Sequence, residues 1–284
     1  MRRRSATMNN KRQTLWNHLL ATPYVLWMAA FIVIPLFFIL YYGLTDADGR
    51  LTLSGLAQIT NPVNQKALWL SLELSLVSTV ICLLLAYPLA MILRSLQMNS
   101  TSFIVLIFIL PMWMNFLLRT LAWQTLLDKT GVLNTFLTGV GLPPQNLINT
   151  PAAIILGMVY NFLPFMVLPI YNVLIKIDRN VENAARDLGA NGFQTFLKII
   201  LPLSLPGVIS GITMVFVPAL TTFVISDILG GAKILLIGNV IEQEFQILNW
   251  HSGSGLSLVL MVFILISMFV MSKYDKEAEG TAIW

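Results

Sequence analysis

Residues 178–207 read DRNVENAARDLGANGFQTFLKIILPLSLPG, a long polar stretch between two long apolar ones. Val181, Ala184, Ala185 and Leu188 fall at i, i+3, i+4 and i+7, one face of a short helix. Asn180 is placed to cap its start, and Gly189 to end it in the left-handed region. A second face follows in Phe193, Phe196, Leu197, Ile200 and Leu201. Pro202 is expected to close that helix, and Pro206 suits the first turn of the next. The stretch therefore reads as two short amphipathic helices joined by a bend at residues 189–192. Ala184 and Ala185 give the first helix a low profile that another surface can approach closely.

Outward from this stretch the chain is apolar. Of its 284 residues 57% are hydrophobic and only 11% charged, against about 25% charged in a soluble domain. The class is all-α, a polytopic membrane protein with spans expected near 19–40, 67–93, 103–123, 152–175, 207–229 and 256–271. The first apolar run, roughly 22 residues, makes a helix of about 33 Å, enough to cross a bilayer core. It is too long for the core of a signal peptide and no small-residue cleavage site follows, so it reads as an uncleaved span kinked at Pro35. The divisions are a tail over 1–18, a six-span domain over 19–272 carrying the 178–206 loop, and a tail over 273–284. No internal repeat is visible.

Six spans put both termini on one side. With the amino terminus inside, the inner segments hold twelve of the 17 lysines and arginines. That asymmetry places both termini and the 178–206 loop in the cytoplasm. The net charge of +4 is explained by this topology and gives no reason to expect nucleic acid. There is no phosphate-binding G-x-x-x-x-G-K-[ST] loop, no nucleophile elbow and no metal-ligand spacing; His18 and His251 are isolated and Cys82 has no partner. No catalytic residue and no cofactor is expected on this chain.

The segment Asn183-Ala184-Ala185-Arg186-Asp187-Leu188-Gly189, with Ile200, Leu201 and Pro202 downstream, resembles the EAA loop of ABC importer permeases. The family's glutamate aligns with Asn183, and Glu182 stands one position earlier, from where it is expected to stand in. The resemblance implies a type I ABC importer permease fold. It also implies a coupling helix in which Glu182, Asn183, Ala184, Ala185, Asp187, Leu188 and Gly189 meet an ATPase. The plainer alternative is an ordinary amphipathic loop. The strings SDILGGAK and LLIGN (226–233 and 235–239), with Leu163-Pro164-Phe165-Met166-Val167, are similar to the first of the two permeases of spermidine/putrescine importers. That similarity implies residence in a bacterial plasma (inner) membrane and partners of three kinds: a second permease, an ATPase dimer holding ATP and Mg, and an extracytoplasmic polyamine-binding protein.

Polar residues at membrane depth are costly and face a cavity or another protein group. Glu73, Asn115, Arg119 and Asp227 are expected to form an outer polar band, with Trp113 among the deeper aromatics. The band reads as a path for a charged substrate. Its alternative is an internal ion pair of Arg119 with Glu73 or Asp227. Other readings of the whole chain are a permease for a metal ion, an oxyanion or an amino acid, or a channel or receptor; neither of the last two needs an EAA-like loop.

Overall fold

A computed structural model describes residues 22–95, 112–231 and 233–281, with side chains to residue 273. The described residues are helical apart from short connections and one isolated bridge, Thr45 with Leu51. In chain order the helices are α1 (Thr22–Leu44), α2 (Ser54–Ala57), α3 (Pro62–Ser95), α4 (Phe116–Leu127), α5 (Val132–Gly139), α6 (Pro151–Leu174), α7 (Arg179–Asp187), α8 (Gly192–Thr221), α9 (Val224–Gly230), α10 (Ile237–Gln246) and α11 (Trp250–Thr281). Among the described residues five helices, α1, α3, α6, α8 and α11, are long and apolar enough to cross a membrane.

The third expected span, 103–123, falls partly outside the described residues. Its described part is interrupted: the chain leaves the helix at Met114 and Asn115, and α4 starts afresh. Asn115 causes the restart. Its side chain accepts hydrogen bonds from the backbone N–H groups of Leu117 and Leu118, satisfying two donors that a helix start otherwise leaves without partners.

The expected break at Pro202 does not occur. α8 runs through Pro202 and Pro206 as one helix, and the strain is taken up by a π-turn over Phe196–Ile200. Proline has no N–H to donate and its ring crowds the carbonyl four residues back. A wider turn just before it relieves both problems. α1 repeats the device, with a π-turn over Ala29–Val33 two residues ahead of Pro35. The fifth span is also displaced from expectation. α8 ends at Thr221, Thr222 is extended, and α9 is a separate short helix. Gly238 of α10 packs against the carbonyls freed there, at Thr221 and Thr222.

The core lies around α6, which is packed between α3 and α8. Ile154, Met158, Met166, Ile170 and Leu174 of α6 are fully buried. The glycines of the crossing helices are used inside the chain: Gly207 and Gly211 seat α8 on Pro169 and Met166 of α6, and Gly157 receives Ile225 and Leu229 of α9. In a bilayer such close packing drives association, since lipid tails are as apolar as the side chains. α1 is peripheral, resting on α2 and α11.

The closest approach is between α2 and α11. A Cβ on Gly255 would stand 2.2 Å from the carbonyl carbon of Gly55 and 2.3 Å from its oxygen. Backbone cannot yield as a flexible side chain would. Gly255→Ala is expected to destabilise the fold by about 2–3 kcal/mol, seen as a lower melting temperature of the purified complex. Gly139→Ala, where a Cβ meets nothing within 4 Å, should leave melting unchanged.

Candidate functional site

The loop after α6 is built as a rigid hook. α7 is capped by Asp178, whose carboxylate accepts from the N–H of Asn180 at 2.9 Å. The expected cap, Asn180, is itself inside the helix. An acid in this place meets the positive end of the helix dipole as well as a free donor, which an asparagine side chain cannot match. At the other end Gly189 has φ +88°. Its N–H bonds to the Arg186 carbonyl at 2.9 Å, and the N–H of Ala190 to that of Ala185 at 3.0 Å. Together these bonds form a Schellman motif, which requires a left-handed residue at this position. Two residues on, Asn191 and Gln194 cap α8 reciprocally.

One ion pair fastens the hook to the bundle. Glu182 points inward and meets Arg94, at the end of α3, at 2.5 Å. The same guanidinium donates to the Ile177 carbonyl at 3.0 Å, and Arg179 reaches back to the Arg94 carbonyl at 3.5 Å. Ala185 is buried beneath the hook. Val181, Asn183, Ala184 and Asp187 are exposed, as are Leu188 (90%) and Phe193 (70%). An apolar ridge therefore faces away from the bundle, next to Asn183.

The far end of α3 carries a second node. Twenty-three residues separate Ser71 from Arg94, about 35 Å of helix. Ser71 accepts from the N–H of Ile237 at 2.8 Å, the start of α10. Buried Asn239 then joins four groups. Its oxygen accepts from Ser226 and from the N–H of Leu236, and its amide donates to the Phe223 carbonyl and to Asp227. Burial raises the Asp227 carboxyl above its ordinary value, and hydrogen bonds with Asn239 and Glu242 oppose this. Burial raises Glu242 too, and the neighbouring Asp227 charge adds to the rise.

The expected outer band is dispersed. Glu73 is exposed on α3, Asn115 is the α4 cap, and Asp227 is engaged with Asn239. Trp113 is exposed (82%) just before the α4 break. Arg119 is buried (7% exposed), and its Nε and Nη1 have no hydrogen-bond partner. Among the described residues it pairs with neither Glu73 nor Asp227. Sequence reasoning missed Arg94, Ser71 and Asn239, which need the fold to bring them to their partners. Among the described residues no group of His, Cys, Asp and Glu could hold a metal ion.

Residues 5–276 match the family described as "Binding-protein-dependent transport system inner membrane component". The chain belongs to this family. It is similar to the spermidine/putrescine transport system permease PotB of Haemophilus influenzae, 39% identical over 259 residues, covering 88% of this chain and 91% of that one. PotB of Escherichia coli is 37% identical over 253 residues, 86% of this chain and 92% of that one. The inner membrane ABC transporter permease YdcU of E. coli is 28% identical, over 76% of this chain and 74% of that one. Among solved structures, a bacterial ABC transporter that imports the acidic polysaccharide alginate superposes with TM-score 0.81 at 16% identity, covering 96% of this chain and 99% of that one. That likeness shows the fold. By its family and its likeness to the PotB permeases, the chain is a membrane permease of an ABC importer.

The Asn239 node gives a direct test. Asn239→Ala would leave the Leu236 N–H without its partner and take one hydrogen bond each from Ser226, the Phe223 carbonyl and Asp227. A loss of about 3 kcal/mol is expected, read as a drop in melting temperature of the complex.

Proposed function

We propose that this chain is the first of two permeases in a polyamine importer, moving spermidine and putrescine across a bacterial inner membrane. The assembly has a second permease, two ATPase subunits that hold ATP and Mg, and an external binding protein. Both termini and the 178–206 loop lie in the cytoplasm. The observation that carries the polyamine reading is the likeness to PotB proteins at up to 39% identity over most of the chain. The excess of basic residues on the loop side supports the orientation.

The loop is the coupling element. Val181, Ala184, Leu188 and Phe193 form the surface that enters the ATPase, with Asn183 and Asp187 at its edge. Glu182 holds the element to α3 from behind. ATP-driven closure of the ATPase pair moves the hook, and a hook that cannot flex passes the motion to α3 and α8 as rigid bodies. The candidate path residues Glu73, Trp113, Asn115, Arg119 and Asp227 belong to the end of the bundle where the binding protein delivers its ligand. This role rests on their polar or aromatic character there.

Gly189 tests the coupling. No atom stands within 4 Å of a Cβ built there, so only the backbone conformation demands glycine. Gly189→Val forces a β-branched residue into the left-handed region, at a cost of about 1–3 kcal/mol, or carries α7 past its stop. Gly189→Asn tolerates that region better. In reconstituted vesicles Gly189→Val should lose polyamine uptake and the stimulation of ATP hydrolysis by loaded binding protein, while Gly189→Asn keeps most of both. Normal coupled uptake by Gly189→Val would mean that the loop does not transmit the stroke.

A further inference from the structure

A groove lies between the end of α8, α10 and the first half of α11. Its volume is about 590 Å³, within the range that takes a small organic molecule. The walls are largely apolar and include Phe223, Phe245 and Met261. Four polar side chains line it, Thr221, Glu242, Gln246 and Ser257, and the two hydroxyls donate to carbonyls of their own helices, Val217 and Gly253. Gln246 donates to Glu242 at 2.7 Å. Asp227 stands close enough to Glu242 for each to influence the other's proton affinity. Among the described residues neither carboxylate has an ion-pair partner.

These features select a ligand by exclusion. A bare divalent cation wants six or more oxygens around it, and the apolar walls supply none. An anion meets two carboxylates. A sugar needs many hydrogen-bonding groups, and the groove offers four polar side chains, two of them hydroxyls whose protons are already donated to backbone. A cationic head on a methylene chain uses everything present. Its ammonium is attracted to the two acids and to the faces of nearby rings, and its chain lies on Phe223, Phe245 and Met261.

We propose that this groove binds one end of a linear alkylammonium, with Glu242 as the contacting carboxylate, Asp227 as the second charge behind it, and Phe223 and Phe245 gripping the methylenes. The proposal rests on the polyamine reading and adds to it a place and contacting residues. It also differs from the residues singled out on sequence, since only Asp227 is shared.

The test uses the complete importer, with its second permease, ATPases and binding protein, in vesicles. Glu242→Gln keeps the size and the Gln246 contact but removes the charge. It should raise the half-saturating putrescine concentration about tenfold, the effect of losing one charge-assisted contact. Glu242→Asp should recover part of the loss. Butylammonium, a chain with one charged end, should raise the melting temperature of the parental complex and not that of Glu242→Gln. Parental half-saturation in Glu242→Gln, with an unchanged butylammonium shift, overturns the site. Loss of the second permease from the Glu242→Gln complex also overturns it, and assigns the groove to subunit contact. A parental importer that takes up no polyamine defeats the functional reading instead. The butylammonium shift and its loss in Glu242→Gln then still decide whether the groove holds alkylammonium.

Discussion

The contact between Arg94 and Glu182 is the constraint on which the cytoplasmic half depends. Both side chains are largely withdrawn from water, at 9% and 17% exposed. Removing charges from water costs several kcal/mol per ion, and the mutual attraction returns it only when geometry is good and other bonds are made. Here the guanidinium also serves the Ile177 carbonyl, at the chain's exit from α6. One side chain therefore ties together the end of α3, the end of α6 and the first turn of α7. Loss of either partner would leave a charge in the wrong solvent. That penalty keeps the hook from detaching, and the Schellman and capping motifs keep it from bending.

The two ends of the molecule are joined by α3. Its last turn holds the hook through Arg94, and its third turn holds α10 through the Ser71 bond to Ile237. A helix of 34 residues that is fixed at both ends is a lever. Asn239 then spreads the outer contact to α9 and to the break after α8. The break matters because it frees carbonyls where the helix stops, and Gly238 and Asn239 are placed to meet them. On the proposed coupling role of the loop, α3 would move with it and carry α9 and α10 along, including the groove beside Glu242.

Much of the fold was legible because its signals are local. Runs of apolar residues mark spans whatever surrounds them, and Gly189 marks a left-handed stop because other residues adopt that conformation at a cost. The ends of elements were harder. Asn180 reads as the cap, but Asp178 takes that place, where its charge also meets the helix dipole. Pro202 reads as a stop in isolation, but a π-turn ahead of it absorbs the missing bond and the helix continues. The α8 break at Thr222 has no local signal of equal strength; α9 and α10 hold it in place. The candidate residues were least legible, because their partners are remote in sequence. Glu182 looked like a surface contact until Arg94, 88 positions earlier, came beneath it. Arg119 promised an ion pair with Glu73 or Asp227, yet Glu73 points outward from α3 and Asp227 is taken by Asn239.

On the proposed coupling role, one ion pair passes the movement of the loop to the bundle. A charge-reversal cycle tests it most directly, with Arg94→Glu, Glu182→Arg and the double exchange each reconstituted with the ATPases and loaded binding protein. The measured quantity is the ratio of ligand-stimulated uptake to ATP hydrolysis, which a purely structural role would leave constant in those complexes that still assemble. Each single reversal is expected to lower this ratio at least tenfold, and the double exchange to restore most of it. Equal ratios in all four proteins, or a double exchange that is no better than the single reversals, would contradict it.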